Sequence, residues 1–151
     1  MISNHEINAY VARDPYISQI YGGTLAIDEL PRQQQQARPT LFIVNTDPAH
    51  LPGSHWLGVY VSDRSEHFDS AGQQPLPRLK NFLASQSEYS VYMYNSMRIQ
   101  DNSSYTCGLF CLMYAYYRSR GVSFNSFLSM FSSSNLEQNE SVVKYFYKMT
   151  K

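Results

Sequence analysis

Hydrophobic positions along this chain keep two different periods. Ile7, Tyr10 and Val11 recur at helical spacing behind Ser3 and Glu6, which match a capping box, so a helix opens the chain. Asp14-Pro15 interrupts it, because the residue before a proline is pushed out of helical geometry. Gly22-Gly23 predicts a turn. The stretch from Pro31 to Pro39, with the run Gln33 to Gln36, is of low complexity and predicts a short surface loop rather than a domain boundary. From Thr40 the period shortens. Thr40 to Asn45 is rich in β-formers, and Trp56 to Val61 is apolar on both faces, as a central strand would be. Glu66 to Ser70 predicts a third strand, paired with the second through a turn near Asp63-Arg64.

Leu76, Leu79, Phe82 and Leu83 return to helical spacing. Tyr89 to Ile99 alternates polar and apolar and predicts a fourth strand. After the polar loop Asp101 to Ser104, the segment from Cys107 to Arg120 is apolar almost all round, which predicts a buried helix ending at Gly121. A last helix is expected from near Asn135, with Val142, Tyr145, Phe146 and Met149 on one face. The expected fold class is α+β: a central mixed or antiparallel sheet of about four to five strands packed on a buried helix, with further helices around it.

Composition narrows the classes. A chain of 151 residues fits a single domain spanning 1–151. The formal net charge is zero, which argues against a strongly basic nucleic-acid binder while leaving room for a local basic patch. No apolar run approaches the roughly 20 residues of a membrane span, and the first residues lack the basic start and apolar stretch of a signal peptide. The expectation is a soluble intracellular protein without a membrane partner. Tyrosine is abundant, at 13 residues, and suits a mixed core and a recognition groove. The two cysteines, Cys107 and Cys111, make neither a disulfide framework nor a structural zinc site.

The junction at Cys107 is where chemistry is expected. A polar loop leads into a buried helix, and a cysteine at a helix start gains from the unpaired N–H groups and the dipole, which favour a thiolate. Gly108 lets a substrate backbone come close. Taken alone, a cysteine is more often a small buried residue. A thiolate also needs a base. Of His5, His50, His55 and His67, His55 stands at the mouth of the apolar strand; His50 belongs to a loop, and His67 fits an outward strand position. Asp69, on the neighbouring strand, is a candidate to orient the imidazole. The Cys107 amide and the Gln100 side chain are candidate oxyanion donors, although with 10 glutamines in the chain Gln100 alone carries little weight. A metal site through His50, His55, His67 and Cys107 has no familiar spacing.

Together these segments resemble the adenovirus-type cysteine protease (adenain) family, within the SUMO-protease-like clan. The resemblance rests on Ile43-Val44-Asn45-Thr46, Gly53-Ser54-His55-Trp56-Leu57, Phe68-Asp69, Gln100 and Cys107-Gly108-Leu109-Phe110-Cys111, in the clan's order of His, acid, Gln, Cys. It implies a cysteine endopeptidase acting on viral or polyprotein precursors, with Cys107 as nucleophile, His55 as base and Asp69 as orienting acid. It also implies that Gln100 and the Cys107 amide line the oxyanion hole, that Trp56 and Gly108 line a groove preferring glycine next to the cut, and that Cys111 is a buried structural cysteine. The implied setting is the interior of a host cell, the nucleus included, or the virion. No metal or other cofactor is implied for the chemistry.

Three departures qualify it. The acid is aspartate, as in SUMO proteases, where adenoviral members often have glutamate. The chain is also shorter than a typical adenoviral enzyme, mostly after the buried helix. Tyr89, eleven residues before Gln100, stands where the adenoviral enzymes carry the cysteine that binds a peptide cofactor by a disulfide. A covalent peptide cofactor is therefore not expected; a non-covalent activating peptide adding a strand stays open, and DNA as a cofactor is disfavoured by the neutral charge. The same layout serves deubiquitinases and SUMO-like isopeptidases. It also serves His-acid-Cys acetyltransferases, and a non-catalytic binding module of this fold is a further alternative.

Overall fold

Capping and proline placement build the first helices. The computed structural model describes residues 1–32 and 34–151. Helix α1 (Asn4–Arg13) opens with the expected capping box: the Glu6 amide donates to Ser3 Oγ at 3.1 Å and the Ser3 amide donates to Glu6 Oε1 at 3.2 Å. Asp14 ends α1 and caps α2 (Pro15–Ile20), accepting from the Tyr16 and Ile17 amides at 3.0 Å each. The Gln33–Gln36 stretch follows later; Gln33 lies outside the described residues, and the remainder runs on the surface against the end of α3 (Pro77–Gln86), with the Gln36 amide donating to Gln86 Oε1 at 3.0 Å.

Gly22-Gly23 is not a turn. Both residues lie inside strand β1 (Tyr21–Ala26), where the register with β2 (Thr40–Asn45) slips between Tyr21 and Gly23. A Cβ at Gly22 would lie 2.3 Å from the Phe42 ring, and Gly23 has φ +143°, so glycine permits a bulge pressed against the neighbouring strand. A two-glycine signal reads alike for a turn and a bulge.

Strands β3 (Trp56–Val61), β4 (Glu66–Phe68) and β5 (Met93–Tyr94) complete a sheet ordered β1-β2-β3-β4-β5. The outer pairs are parallel and the two inner pairings are antiparallel, so the sheet is mixed, as the α+β reading requires. The fourth expected strand, Tyr89 to Ile99, shrinks to two residues. Tyr89 and Ser90 both take positive φ, at 56° and 57°, which breaks the strand at its start. At its other end Asn95 turns its side chain, not its backbone, toward β4 (below).

Helix α4 (Cys107–Ser119) packs on one face of the sheet with α1, α2, α5 (Phe124–Leu128) and α6 (Leu136–Thr150); α3 covers the other face. Leu41 and Ile43 point to the α4 side, Phe42 and Val44 to the α3 side. A sheet covered on both faces needs apolar residues at consecutive positions, which explains the unbroken runs of β2 and β3. The buried face of α6 is Asn139, Glu140, Val143 and Phe146, whereas Tyr145 and Met149 are exposed. The expected stripe is thus rotated, because two polar residues take buried positions that apolar periodicity alone cannot assign.

Where α4 crosses β3, the Tyr114 ring lies on Gly58: a Cβ there would meet Tyr114 Cδ2 at 2.6 Å. Tyr114 donates to Glu66 Oε1 at 2.8 Å, and Arg118 holds both Glu66 oxygens, at 2.9 and 2.7 Å. This buried fork ties the far half of α4 to β4. Gly58→Ala is expected to lower stability by about 1–3 kcal/mol through overpacking. Urea unfolding measures it, and an unchanged midpoint would mean that Tyr114 yields freely.

Candidate active site

The loop between β2 and β3 delivers His55 to the start of β3. The Asn45 side chain organises it, Oδ1 accepting from the Asp47 amide at 3.0 Å and the Ser54 amide at 3.3 Å. Gly53, with φ +92°, fits beneath: its Cβ would lie 2.7 Å from Asn45 Nδ2. The Thr46 amide donates to the His55 carbonyl at 3.0 Å and carries the β2–β3 pairing one step past the strands.

Asp69 follows β4 directly. Its Oδ1 lies 2.6 Å from His55 Nε2 and accepts from the Ala71 amide at 2.8 Å; Oδ2 accepts from the Gln73 amide at 3.2 Å. The backbone of Asp69 is clasped by the buried Asn95 side chain, which accepts from the Asp69 amide at 2.9 Å and donates to its carbonyl at 2.7 Å. Asn95 thus makes the two bonds that a strand residue would make with its backbone. Burial pushes the Asp69 carboxyl toward protonation, but the hydrogen bond from His55 and its charge outweigh this, and the pKa falls below the ordinary value. His55 shows the reciprocal balance. Burial pulls its pKa down; the hydrogen bonds to Asp69 and Cys107 and their charges raise it, for a net rise to about 9.

With Nε2 held by Asp69, the other ring nitrogen of His55 is left for the Cys107 thiol. Cys107 is the first residue of α4, and its sulfur accepts from the Trp56 amide at 3.4 Å. The thiol is 2% exposed because residues 1 and 2 lie over it. Met1 Sδ is 3.7 Å from Cys107 Sγ, and the Ile2 carbonyl accepts from Trp56 Nε1 at 3.0 Å. Gly108 makes room for this arm: a Cβ there would lie 2.0 Å from Ile2 Cγ2 and 3.1 Å from Trp56 Cδ1. Cys111, one turn further, is fully enclosed, and burial pushes its thiol pKa well up, so it packs and does not ionise.

The structure therefore gathers His55, Asp69, Trp56, Cys107 and Gly108 at one place. Gln100 is tied to the loop that leads into α4. Its Nε2 donates to the Ser104 carbonyl at 3.2 Å, and its Oε1 accepts from Ser70 Oγ at 2.5 Å. A carbonyl can only accept, so the Ser104 contact fixes which end of the amide faces the loop. Four residues of this scaffold escaped the sequence reading: Ser70, Asn95, Asn139 and Glu140. Asn139 donates to the Ile99 carbonyl at 3.0 Å, beside Gln100. Their one signal in sequence is a polar type at a position that belongs to a buried face. Among the described residues, no group of three or more His, Cys, Asp or Glu side chains is arranged to hold a metal ion, and no helix is long and apolar enough to cross a membrane.

His67 corrects a further expectation. It is 1% exposed, not outward, because β4 is covered on both faces and His67 turns toward the α3 side. Its ring nitrogens have no hydrogen-bond partner among the described residues. Burial lowers its pKa to about 4. His55, His67 and Asp69 share a cleft of about 360 Å³ with Thr46, Gln73 and Leu76. A second cleft of about 490 Å³ lies on the other side of Trp56, bounded by residues 1–4, Thr24–Ala26 and the loop to Gly53.

No protein-family model matches the chain, and no curated protein matches it. Among solved structures, the fold is similar to the C-terminal Ulp1 protease domain in complex with Smt3, the yeast ortholog of SUMO. That match is 15% identical, covers 92% of this chain and 77% of that one, and has a TM-score of 0.51. The ASFV pS273R protease aligns at 24% identity over 64% of this chain with a TM-score of 0.48, and the chain spans only 40% of its length. At these identities the likeness is one of fold: a mixed α+β architecture similar to that of the Ulp1 domain.

The depressed pKa of His67 has a consequence for acid stability. The unfolded chain takes up a proton near pH 6.5 that the folded His67 refuses until about pH 4, so stability falls as pH drops through that window. The loss is about 3 kcal/mol at full effect. His67→Leu is expected to flatten urea midpoints between pH 6.5 and 4; a pH profile identical to that of the parent would contradict it.

Proposed function

We propose that this chain is a cysteine endopeptidase, resembling the adenoviral maturation proteases, that cuts polypeptide precursors beside glycine. The observation that carries the reading is the relay Asp69 Oδ1–His55 Nε2 at 2.6 Å, aimed at a cysteine that begins a buried helix and receives the Trp56 amide on its sulfur. The resemblance of the fold to the Ulp1 protease domain supports it.

Cys107 thiolate attacks the scissile carbonyl carbon, forming the C–S bond as the carbonyl electrons move onto oxygen. The Cys107 amide and the second N–H of Gln100 Nε2 stabilise that oxyanion. As it collapses, the C–N bond breaks and His55 imidazolium gives its proton to the leaving amine. Neutral His55 then takes a proton from water, which attacks the thioester and releases the carboxylate product and the thiolate. Asp69 keeps the ring in register and in its charged form. A substrate must displace Met1 and Ile2 to reach the thiol. Trp56 and Gly108 then flank its backbone, the lack of a side chain at 108 letting it pass close to the thiol; the preference for glycine beside the cut rests on the resemblance to the adenoviral enzymes. Neither a metal nor a disulfide-linked peptide enters this reading, since Tyr89 stands at the position of the adenoviral cysteine.

A second reading, removal of a ubiquitin-like modifier, is favoured by one observation: the Ulp1 domain of similar fold is complexed with Smt3. Profiling on a peptide library and on intact modifier conjugates separates the two.

Cys107→Ala is expected to abolish cleavage with the fold intact, and retained turnover would sink the assignment. Gln100→Ala is expected to lower turnover about 100-fold with little change in binding. The imidazolium of His55 persists to about pH 9, so turnover should decline on the alkaline side near that pH. Asp69 raises the His55 pKa, so Asp69→Asn should move this decline to lower pH. A decline that stays in place would break the link between Asp69 and His55.

A further inference from the structure

Helix α4 begins without a cap. Thr106 occupies the N-cap position, and threonine there ordinarily turns its hydroxyl onto the second or third amide of the helix. Here it makes no such bond, and its backbone sits at φ −96°, ψ 7°, not in the extended conformation of a capping residue. Four other helices are capped in the ordinary way, by Ser3, Asp14, Ser123 and Asn135. The Thr106 hydroxyl goes elsewhere. It donates to Glu140 Oε1 at 2.8 Å and lies 3.1 Å from Oε2.

Glu140 is itself unusual. It is a carboxylate 7% exposed on the inner face of α6, and its partners are neutral. Besides Thr106, its Oε2 accepts from the Asp101 amide at 3.0 Å and from Ser104 Oγ at 3.1 Å. It thus gathers both ends of the loop that joins Gln100 to Cys107. That loop also carries the Ser104 carbonyl on which the Gln100 amide is hooked. A buried carboxylate without a cation is costly unless each oxygen is well supplied with donors, so its place here calls for a reason.

Resting on the proposed protease reading, we propose that Glu140 is a positioning residue for the oxyanion site: it clasps the Asp101 amide and the Ser104 and Thr106 hydroxyls, and so fixes the loop on which the Gln100 amide is hooked. An oxyanion is bound by N–H groups that have no other acceptor. The Ser104 carbonyl takes one N–H of Gln100 Nε2, so the position of Ser104 decides where the second N–H points. A cap by Thr106 would fall on the second or third amide of α4 and leave the Cys107 amide untouched, so Glu140 acts through Gln100.

Two chemical probes separate this role from the reading it rests on. Iodoacetamide alkylates the Cys107 thiolate and needs no oxyanion hole. Acyl transfer from p-nitrophenyl acetate to Cys107 passes through an oxyanion. Both are measured in the parent chain, with Cys107→Ala as the blank. If neither probe distinguishes the parent from Cys107→Ala, the protease reading itself fails. With Cys107-dependent rates in hand, Glu140→Gln is the test. An amide keeps the size of the carboxylate but has one acceptor oxygen where the clasp uses two, and its N–H groups can be met only by a hydroxyl that turns round to accept, so the clasp is weakened. The expected result is a fall of about tenfold in acyl transfer, with alkylation within about twofold of the parent.

The deciding measurement places Glu140→Gln in the Gln100→Ala background. With Gln100 truncated the loop has no donor left to position, so Glu140→Gln is expected to change acyl transfer there by less than about twofold. A purely structural role for Glu140 predicts the same loss of about tenfold in both backgrounds. The inference is overturned if Glu140→Gln leaves acyl transfer at the parent rate, or if it costs as much in the Gln100→Ala background as in the parent. Far-UV circular dichroism reports folding. Should Glu140→Gln not fold, Glu140→Asp, which retracts the carboxylate by one methylene, replaces it with the same expectations.

Discussion

The contact between the Tyr114 ring and Gly58 sets the distance between the buried helix and the sheet, and the site depends on that distance. Cys107 is fixed to α4 and His55 leads into β3, so the thiol and the imidazole approach one another only as closely as these two elements do. A side chain at position 58 would hold them apart. The ring is in turn held in place, stacked on Phe68 with centroids 5.0 Å apart and hydrogen-bonded to Glu66. Glu66 also takes the Arg118 fork, so the same strand that fixes the helix runs three residues on into Asp69. Cys107, His55 and Asp69 thereby share one support. The 3.4 Å separation between the Trp56 amide and the Cys107 sulfur is the outcome of that packing.

Two buried histidines show how the site sets its charges. His55 and His67 are both removed from water, and burial alone lowers the pKa of each. They end on opposite sides of neutrality, at about 9 and about 4. The difference is direct contact. Asp69 bonds to the His55 ring, whereas it acts on His67 only through space and burial wins. A carboxylate two residues along a strand from one histidine and hydrogen-bonded to the other thus keeps one charged and leaves the other neutral. Asp69 is held ionised by His55 and by the backbone amides of the turn that follows it.

Much of this was legible in the chain. The strands Thr40–Asn45 and Trp56–Val61 and the buried helix from Cys107 were read from apolar runs, because an element covered on all sides leaves no polar positions to blur the pattern. The capping box of Ser3 and Glu6 and the proline at position 15 marked boundaries because their effects are local. The failures were non-local. Gly22-Gly23 could be placed as a bulge only with Phe42 beside it. The segment from Tyr89 alternates like a strand, yet it is broken by two left-handed residues and by an asparagine that substitutes side-chain for backbone hydrogen bonds. His67 looked outward because a polar residue on a strand reads as facing solvent, whereas β4 is covered on both faces. Of the candidate site, the residues that the fold brings together, His55, Asp69 and Cys107, were identifiable by type and order. Their supports, Ser70, Asn95 and Glu140, are ordinary polar residues whose partners are 26 to 39 positions away, and no spacing announces them.

The covering of Cys107 follows from the same economy of space. Gly108 has no side chain, and Ile2 fills the volume that one would occupy. The Trp56 indole, set by the core on one side, offers its single N–H on the other, and the Ile2 carbonyl takes it. An extended backbone crossing the thiol needs both features: a gap at position 108 to pass through and a donor to fix its carbonyl. The arm therefore occupies the volume that a polypeptide would require and satisfies the groups that would hold one. One hydrogen bond and two side chains keep it there, which is a small barrier beside the packing that holds α4 to the sheet. The thiol is thus sealed by a short arm with few contacts, whereas His55, Asp69 and Cys107 are set by the packed core.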